Sequence, residues 1–464
     1  MSSWHHVATS KCTLMGCLVE AGVYNEDELF YSENLRKVDA DQFLVPWIYR
    51  SEFALETGPG QHFFLQTHGI SSRADIFLNG QQVATSAEQA GSYVGRTYDI
   101  TRLVNNTNAL AIKVYPTDYY HDFAIGWVDW NPWPADNGTG VWRDIEIRQT
   151  GAAMLEPLRV VTNLGTPIGK APANVTLKAR AHNLEDVPIT ITAAGLITPP
   201  EGSTNAPIAW NQTLTLPPLS VTDLSLPATI PHPSLPWPPP RGPPPPPPPP
   251  PPLLSPTTPL DHATTPFGLR TLTTTLSPQN DTTFHLNSHP LQILGAGYSP
   301  PLFLRATSSP SHWLPTLHYT LSLGLNTLRL EGKTEHPALY TLASQMGVLL
   351  LPGWECCNKW EAWGYNPDLA VSPVPVWDDA DYQIAAESMA HEAGMMQPHP
   401  AVAGFLIGSD FWPDERATKG YLDALRGVDW QTPVVGSASR RGWSPQTGPG
   451  GMKMDGPYEW VPPG

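Results

Sequence analysis

The chain has 464 residues, of which 54 are proline and 15% are charged, and its 26 Lys+Arg against 42 Asp+Glu give a net charge of −16. Proline at more than twice its usual share of about 5%, together with the low charge content, excludes a coiled coil or a helical bundle. No basic cluster of the kind that binds nucleic acid is present, and no apolar run reaches the roughly 18 residues of a membrane span. We therefore expect a loop-rich, β-rich protein of about three domains, with no nucleic-acid or membrane partner.

Residues 1–150 show the apolar patterning of antiparallel strands. The segments FFLQTHG, ADIFLNGQQVA and ALAIKVY are rich in β-branched and aromatic residues, as half-buried strands are. Asn79-Gly80 is a strong signal for a two-residue hairpin turn. The regular turn spacing predicts a jelly roll or a related β-sandwich.

Residues 151–283 continue as short strands with Pro, Ser and Thr connections, which suits an immunoglobulin-like sandwich. This segment contains a proline-rich insertion at about residues 231–260, with ten consecutive prolines at Pro243–Pro252. Such a run forms polyproline II or is disordered. Its functional interpretation is a ligand for an SH3 or WW domain or a stiff spacer. The simpler interpretation is a tolerated loop insertion or a mistranslated intron, which we favour because strands resume beyond it.

From residue 284 to residue 464, apolar runs alternate with helical stretches. Five segments are predicted as strands, with helices between them: LQILGAG, NTLRLEG, VLLLPGWE, VAGFLIGSD and PVVGSAS. This alternation is typical of βα units with parallel strands. It predicts an incomplete TIM barrel, because a (β/α)₈ barrel has eight such strands.

Three carboxylates end predicted strands of this barrel, where barrel active sites lie. They are Glu331 after NTLRL, Glu355 in PGWE and Asp410 in GSD. A pair of carboxylates at one mouth is what glycoside hydrolysis requires, whereas the simpler alternative is that each acid caps the next helix. Tryptophans that could stack on sugar faces lie nearby: Trp354, Trp360, Trp363, Trp377 and Trp412.

Other chemistry-bearing patterns are weaker. The stretch IGWVDWNPWPADNGTGVWRDIEI places Asp129, Asn131 and Asp136 among tryptophans, as either a sugar-site loop or an aromatic loop at a domain interface. His391-Glu392 begins an H-E-x-x-H motif but does not complete it, and we interpret it as solvated surface. No metal or cofactor is expected. The vicinal pair Cys356-Cys357 consists of buried thiols or, less simply, a strained disulfide.

Longer segments carry a family resemblance: VDADQFLVPWIYRSEF, IGWVDWNPWPADNGTGVWRDI, GVLLLPGWECCNKWE and IGSDFWPDERATKGYLDAL. They are similar to glycoside hydrolase family 2, and within it to the exo-β-D-glucosaminidases that trim chitosan. The resemblance implies a sugar-binding jelly roll, an immunoglobulin-like sandwich and a TIM barrel. It also implies a secreted, monomeric glycosidase that removes residues from a β-linked amino-sugar oligosaccharide or polysaccharide with retention.

The resemblance also assigns roles to residues. Asp410 of G-S-D corresponds to the general acid/base, and Glu355 to the acid that contacts the substrate amine. The remaining substrate-binding candidates are Asp129, Asn131, Glu331, Trp354 and Tyr298.

Two departures from the family pattern affect these expectations. Pro301 stands where the family pattern G-Y-[ST]-P-D has a carboxylate, and no S-E-[TS]-x-G stretch carries a nucleophile. We therefore expect an N-terminal part of such an enzyme that is inactive by itself. The alternatives are a non-catalytic carbohydrate-binding chain, a β-mannosidase-like enzyme, and, least favoured, a scaffold that acts through its proline tract.

Five N-x-[ST] sequons suit a secreted protein; their asparagines are Asn105, Asn137, Asn174, Asn211 and Asn280. The first residues do not show the basic and apolar regions of a signal peptide. Either the protein is cytoplasmic, or a signal peptide is missing from this start. The sequons and the family resemblance favour an extracellular location.

Overall fold

The computed structural model describes residues 4–8, 11–29, 31–125, 132–200, 203–235, 260–298, 310–331 and 333–452. Asp129, Asn131, Pro301 and the proline run lie outside these ranges. Within them, no helix combines the length and apolar character needed to cross a membrane.

In the described ranges, the first part of the chain holds ten strands: β1 Cys12–Thr13, β2 Trp47–Ala54, β3 His62–Thr67, β4 Ile70–Ser71, β5 Ala74–Leu78, β6 Gln81–Ala84, β7 Arg96–Asp99, β8 Thr107–Val114, β9 Gly140–Val141 and β10 Ile145–Thr150. They form three antiparallel sheets ordered β1-β9-β4, β10-β3-β7 and β2-β8-β5-β6. The predicted hairpin is confirmed, since β5 pairs with β6 across Asn79 and Gly80 at φ 53° and 81°, as a type I′ turn requires.

Short helices precede β2: α1 Leu14–Glu20, α2 Glu26–Leu29 and two 3₁₀ helices, Asn34–Lys37 and Ala40–Phe43. A disulfide that the sequence analysis did not single out joins Cys12 in β1 to Cys17 in α1.

The second part holds six antiparallel strands: β11 Ala153–Leu155, β12 Arg159–Leu164, β13 Ala173–Asn183, β14 Ile189–Ile197, β15 Ile208–Leu216 and β16 Val221–Ile230. In one sheet, the long strand β13 pairs with β11, β12 and β16, and β14 and β15 form the other. Buried residues of both sheets, such as Ala179 and Ala193, share one core.

A three-stranded antiparallel sheet leads into the third part: β17 Leu272–Leu276, β18 Thr282–Leu286 and β19 His289–Leu291. Leu272, Phe284 and Leu286 pack in one cluster with Leu349 and Leu406 of the strands that follow. These strands span residue 283, where we placed the second boundary.

Among its described residues, the third part has five parallel strands, four α-helices and a 3₁₀ helix: β20 Gly295–Tyr298, α3 Pro310–Ser322, β21 Thr327–Leu330, α4 Pro337–Met346, β22 Leu349–Pro352, the 3₁₀ helix Lys359–Glu361, α5 Asp379–Met396, β23 Phe405–Leu406, α6 Glu415–Gly427 and β24 Val434–Val435. Parallel pairing runs β20-β21-β22 and β23-β24, and the bridges Leu350–Val402 and Gly353–Leu406 join the two groups. The predicted five strands and their parallel direction are confirmed. All four residues of β22 are buried, as in a sheet covered on both faces.

A buried ion pair docks the first part onto the third. Arg143, two residues after β9, donates to both carboxylate oxygens of Glu392 in α5 and to the carbonyls of Thr334 and Glu335 at 3.1 Å each. The interpretation of His391-Glu392 as solvated surface is therefore wrong, because Glu392 is 0% exposed beneath Arg143. Burial opposes its ionisation, yet the Arg143 guanidinium lowers the pKa of Glu392 to about 2.

Candidate active site

The carboxyl ends of the parallel strands place the predicted acids along one edge of the sheet. Glu331 follows β21, Glu355 lies three residues beyond β22, and Asp410 lies four residues beyond β23. Glu331 and Asp410 are partly accessible, whereas Glu355 is 1% exposed.

Asp410 lies in a short segment, residues 407–411, which we call the Asp410 loop. The loop starts with a ladder-like bond from Ile407 N to Val435 O at 2.9 Å. Beyond it, the amides of Ser409 and Phe411 each donate to Glu361 Oε1 at 3.0 Å. Ser439 Oγ donates to the Asp410 carbonyl at 2.7 Å. Side chains therefore hold the backbone on both sides of Asp410.

Glu331 is coupled to the same loop through Ser409. Ser409 Oγ donates to Glu331 Oε1 at 2.9 Å, and Arg329 Nη2 donates to both, at 2.9 Å to Ser409 Oγ and 3.0 Å to Glu331 Oε1. The structure thus bonds Glu331 to Ser409, the residue that precedes Asp410 in the Asp410 loop. The guanidinium of Arg329 compensates the negative charge of Glu331.

The most buried acid bonded to the Asp410 loop, Glu361, was missed by sequence reasoning. It ends the 3₁₀ helix Lys359–Glu361 and is 2% exposed. Burial, and then the charge of Asp410, raise the pKa of Glu361 to about 8 against the opposing effect of its amide hydrogen bonds. Glu361 is therefore mostly protonated at neutral pH. Its place between Trp360 and Ala362 was the signal available in the sequence, because an acid among apolar neighbours suggests burial.

Glu355 faces the first part of the chain. The Tyr93 hydroxyl donates to Glu355 Oε1, and Tyr93 itself is fully buried. Burial and the Glu355 charge raise the pKa of the Tyr93 phenol well above its usual range. A residue of the first part therefore contributes to the environment of this predicted amine-binding acid.

The tryptophans near the mouth pack mainly against one another. Trp354 stacks on Trp360 with ring centroids 4.4 Å apart, and Trp363 lies 4.3 Å from Trp377. All four are at most 7% exposed, so their faces belong to the aromatic core rather than to an open sugar platform. Trp412 is partly accessible and stacks on Tyr365.

Tyr298 ends β20 and packs against Trp313 with ring centroids 6.0 Å apart. Burial, with a smaller effect of Glu335, raises the pKa of its phenol. The structure brings it to the strand-end edge, at the end of the strand that pairs with β21.

Cys356 and Cys357 are thiols, and Cys357 Sγ donates to Cys356 Sγ at 2.7 Å. The pair is therefore not a disulfide, and the expected burial is found for Cys356, whereas Cys357 is half-buried. Across the described ranges, no group of three or more His, Cys, Asp or Glu is arranged to hold a metal ion.

Comparison with known families and proteins identifies relatives over the whole chain. Residues 1–122 match the family described as glycosyl hydrolase 2 galactose-binding domain-like. An exo-β-D-glucosaminidase of Hypocrea jecorina is 50% identical over 462 residues, which are 100% of this chain and 51% of the relative. The chain thus spans about half the length of the curated relatives that it matches.

Solved structures agree with this similarity. The crystal structure of the Amycolatopsis orientalis exo-chitosanase CsxA matches with a TM-score of 0.87 and 36% identity, over 99% of this chain and 52% of that one. One variant of that enzyme was solved in complex with PNP-β-D-glucosamine. A β-D-mannosidase from Dictyoglomus thermophilum shares the fold, with a TM-score of 0.72 and 17% identity over 94% of this chain and 56% of that one.

Proposed function

Because the chain belongs to glycoside hydrolase family 2, we propose that it forms the acid/base-bearing half of an exo-acting, retaining β-glucosaminidase that degrades chitosan or chitooligosaccharides. The observation that carries this proposal is the position of Asp410. It follows the fourth parallel strand, on a loop that Glu331 bonds at Ser409 and that side chains hold on both sides of Asp410. The full-length similarity to exo-β-D-glucosaminidases supports the same assignment.

The finer architecture is part of this proposal. Residues 1–150 form a galactose-binding-like jelly roll, residues 151–283 an immunoglobulin-like sandwich, and residues 284–464 the first portion of a TIM barrel. The five parallel strands with intervening helices support the barrel assignment. The two packed sheets around β13 support the sandwich.

In the proposed mechanism, Asp410 protonates the leaving glycosidic oxygen and later deprotonates the attacking water. Retention requires a second carboxyl about 5–5.5 Å away as nucleophile. The relatives are about twice the length of this chain, and we assign the nucleophile to that further length. Glu331 and Tyr298 then line the sugar site, and Trp354 supports it from within the aromatic core.

The substrate is proposed to be an amino sugar, with Glu355 as the acid nearest its ammonium group. PNP-β-D-glucosamine bound to the exo-chitosanase supports this choice, and the net charge of −16 favours a cationic polymer. Asp129 and Asn131 are proposed to reach the sugar from the first part. Pro301 removes one carboxylate from the expected set, which keeps a β-mannosidase-like preference as the second candidate.

We also propose an extracellular location. Four sequon asparagines are solvent-exposed: Asn105, Asn174, Asn211 and Asn280. The disulfide between Cys12 and Cys17 is of a kind that persists in oxidising compartments.

The test joins this chain to the second half of the Hypocrea jecorina relative and measures p-nitrophenol release from PNP-β-D-glucosamine and PNP-β-D-mannoside. We expect hydrolysis of the glucosaminide and a loss of at least about 100-fold in Asp410→Ala, the usual scale of general acid catalysis. Full activity of that variant would contradict the assignment of Asp410. Hydrolysis of the mannoside alone would favour the second candidate.

Calorimetric titration of the unjoined chain with chitooligosaccharides separates binding from catalysis. Binding by the chain, combined with no turnover of either substrate by the joined enzyme, would favour a carbohydrate-binding protein.

A further inference from the structure

The backbone around Asp410 lies beyond the regular ladder of the parallel sheet. β23 ends at Leu406, and the two amides that flank Asp410 donate to a side chain instead of a neighbouring strand. A buried amide needs an acceptor, and here a single oxygen, Glu361 Oε1, accepts from both Ser409 and Phe411 at 3.0 Å.

This geometry controls the direction of the Asp410 side chain. The Ser409 N–H belongs to the 408–409 peptide and the Phe411 N–H to the 410–411 peptide. Holding both limits the directions open to the Asp410 Cα–Cβ bond, most directly through the 410–411 peptide. Ser439 Oγ, at 2.7 Å from the Asp410 carbonyl oxygen, restrains the same peptide from a third direction. The two amide bonds span 48 and 50 residues of sequence, so they tie the segment after β22 to the segment after β23.

Glu361 is itself held rigidly. Its 3₁₀ helix is capped by Asn358, whose side chain accepts from Trp360 N at 2.9 Å. The Asn366 side chain donates to the Glu361 carbonyl at 2.9 Å. Because this acceptor is rigid, it holds the two amides of the loop in one position, whereas a mobile acceptor would let them move.

The ionisable groups that act on Glu361 or respond to it come from three neighbouring segments: Asp410, Cys356, Tyr365 and Arg441. Burial and the Asp410 charge keep the pKa of Glu361 near 8. Its carboxyl therefore accepts hydrogen bonds at neutral pH without adding a second full charge beside Asp410. A glutamine of the same length offers the same neutral acceptor.

We propose that Glu361 is the positioning residue of the acid/base: by accepting both flanking amides, it aims Asp410 at the glycosidic oxygen. The catalytic part of this inference rests on the proposed function of Asp410. The structural part, that Glu361 holds the Asp410 loop, can be tested on this chain alone.

The structural test is hydrogen–deuterium exchange of a peptic peptide covering residues 406–412. We expect the Ser409 and Phe411 amides to exchange at least ten-fold faster in Glu361→Ala, and to stay within about three-fold of wild type in Glu361→Gln below pH 8. Glu392→Gln is the matched control, because it alters another fully buried glutamate that does not contact the loop. Unchanged exchange in Glu361→Ala, or equal acceleration in Glu361→Gln, would overturn the proposal.

A shorter acid covers the case in which Glu361→Ala does not fold. Glu361→Asp keeps the carboxyl but withdraws it by one methylene group, so it should speed exchange of the same two amides. Wild-type protection in a folded Glu361→Asp protein would equally overturn the proposal.

The catalytic test uses the joined enzyme with PNP-β-D-glucosamine. We expect Glu361→Ala to lower kcat at least ten-fold with KM within two-fold, and Glu361→Gln to restore kcat to within three-fold of wild type. Undiminished kcat in Glu361→Ala, with Asp410→Ala inactive, would refute the positioning role. Full activity of Asp410→Ala would instead refute the proposed function and leave the exchange result standing as a structural finding.

Discussion

Replacing Glu361 by glutamine should change how the stability of the chain depends on pH. The carboxyl of Glu361 has an ordinary pKa of 4.5, and in the folded chain it is raised to about 8. Between these values the unfolded chain has already lost the proton that the folded chain still holds. The stability contributed by the protonated carboxyl is therefore complete below pH 4.5 and is lost as the pH rises through about 8.

The size of the effect follows from the shift. One pKa unit corresponds to about 1.4 kcal/mol, so the rise from 4.5 to about 8 amounts to about 5 kcal/mol of wild-type stability lost above pH 8, and about 3 kcal/mol lost at pH 7. Glutamine does not titrate. The free energy of unfolding of Glu361→Gln, minus that of wild type, should therefore increase by about 4 kcal/mol between pH 4.5 and pH 8.5.

The measurement is urea unfolding of both proteins between pH 4.5 and pH 8.5, followed by tryptophan fluorescence, which reports on the aromatic core beside Glu361. Asp410→Asn is the companion variant. It removes a charge that raises the pKa of Glu361, so it should reduce the loss of folding stability as the pH rises. A stability difference between Glu361→Gln and wild type that is flat across this range would refute the argument that Glu361 is buried in its neutral form.

Three further predictions concern other parts of the structure. Arg143→Met should lower the free energy of unfolding by about 3–5 kcal/mol because it leaves Glu392 buried without its cation. As a control, breaking the exposed Lys419–Asp423 ion pair on α6 should cost less than about 1 kcal/mol. Equal effects of the two changes in urea unfolding would contradict the docking role of Arg143. After secretion from yeast, peptide mapping should find glycan on exposed Asn105 but none on Asn137, because the Asn137 side-chain amide donates to a backbone carbonyl at 2.9 Å; glycan on Asn137 would show that this bond does not persist. Tyr93→Phe should lower the free energy of unfolding by about 1–3 kcal/mol, since it withdraws a donor from the buried carboxylate after β22, and unchanged urea unfolding would count against that hydrogen bond.

Elements with strong local signals could be predicted from the sequence. The apolar run VLLLP and the acids that end neighbouring runs identified the parallel strands and the places of Glu331 and Asp410. Asn79-Gly80 identified a hairpin because its turn geometry depends on the two residues themselves. Both signals lie within a few residues of the element that they specify.

Features that depend on distant partners could not be predicted in this way. Glu361 contacts amides 48 and 50 residues away, and nothing beside it in the sequence names them. Glu392 was assigned to the surface because its own helix cannot show that Arg143 covers it from 249 residues away. The tryptophans suggested sugar platforms by composition, but their mutual packing is decided by the tertiary fold.

The Arg143–Glu392 pair also determines how this architecture can be recombined. Domain exchange between relatives is usually planned at the connections between domains, here near residue 150. A crossover at that point would draw the arginine from one parent and the glutamate from the other, although the two are fully buried against each other. Any chimera that changes one of these residues without the other would place an unmatched charge in its interior. The two residues must therefore be taken from the same parent, although 249 residues separate them in the sequence.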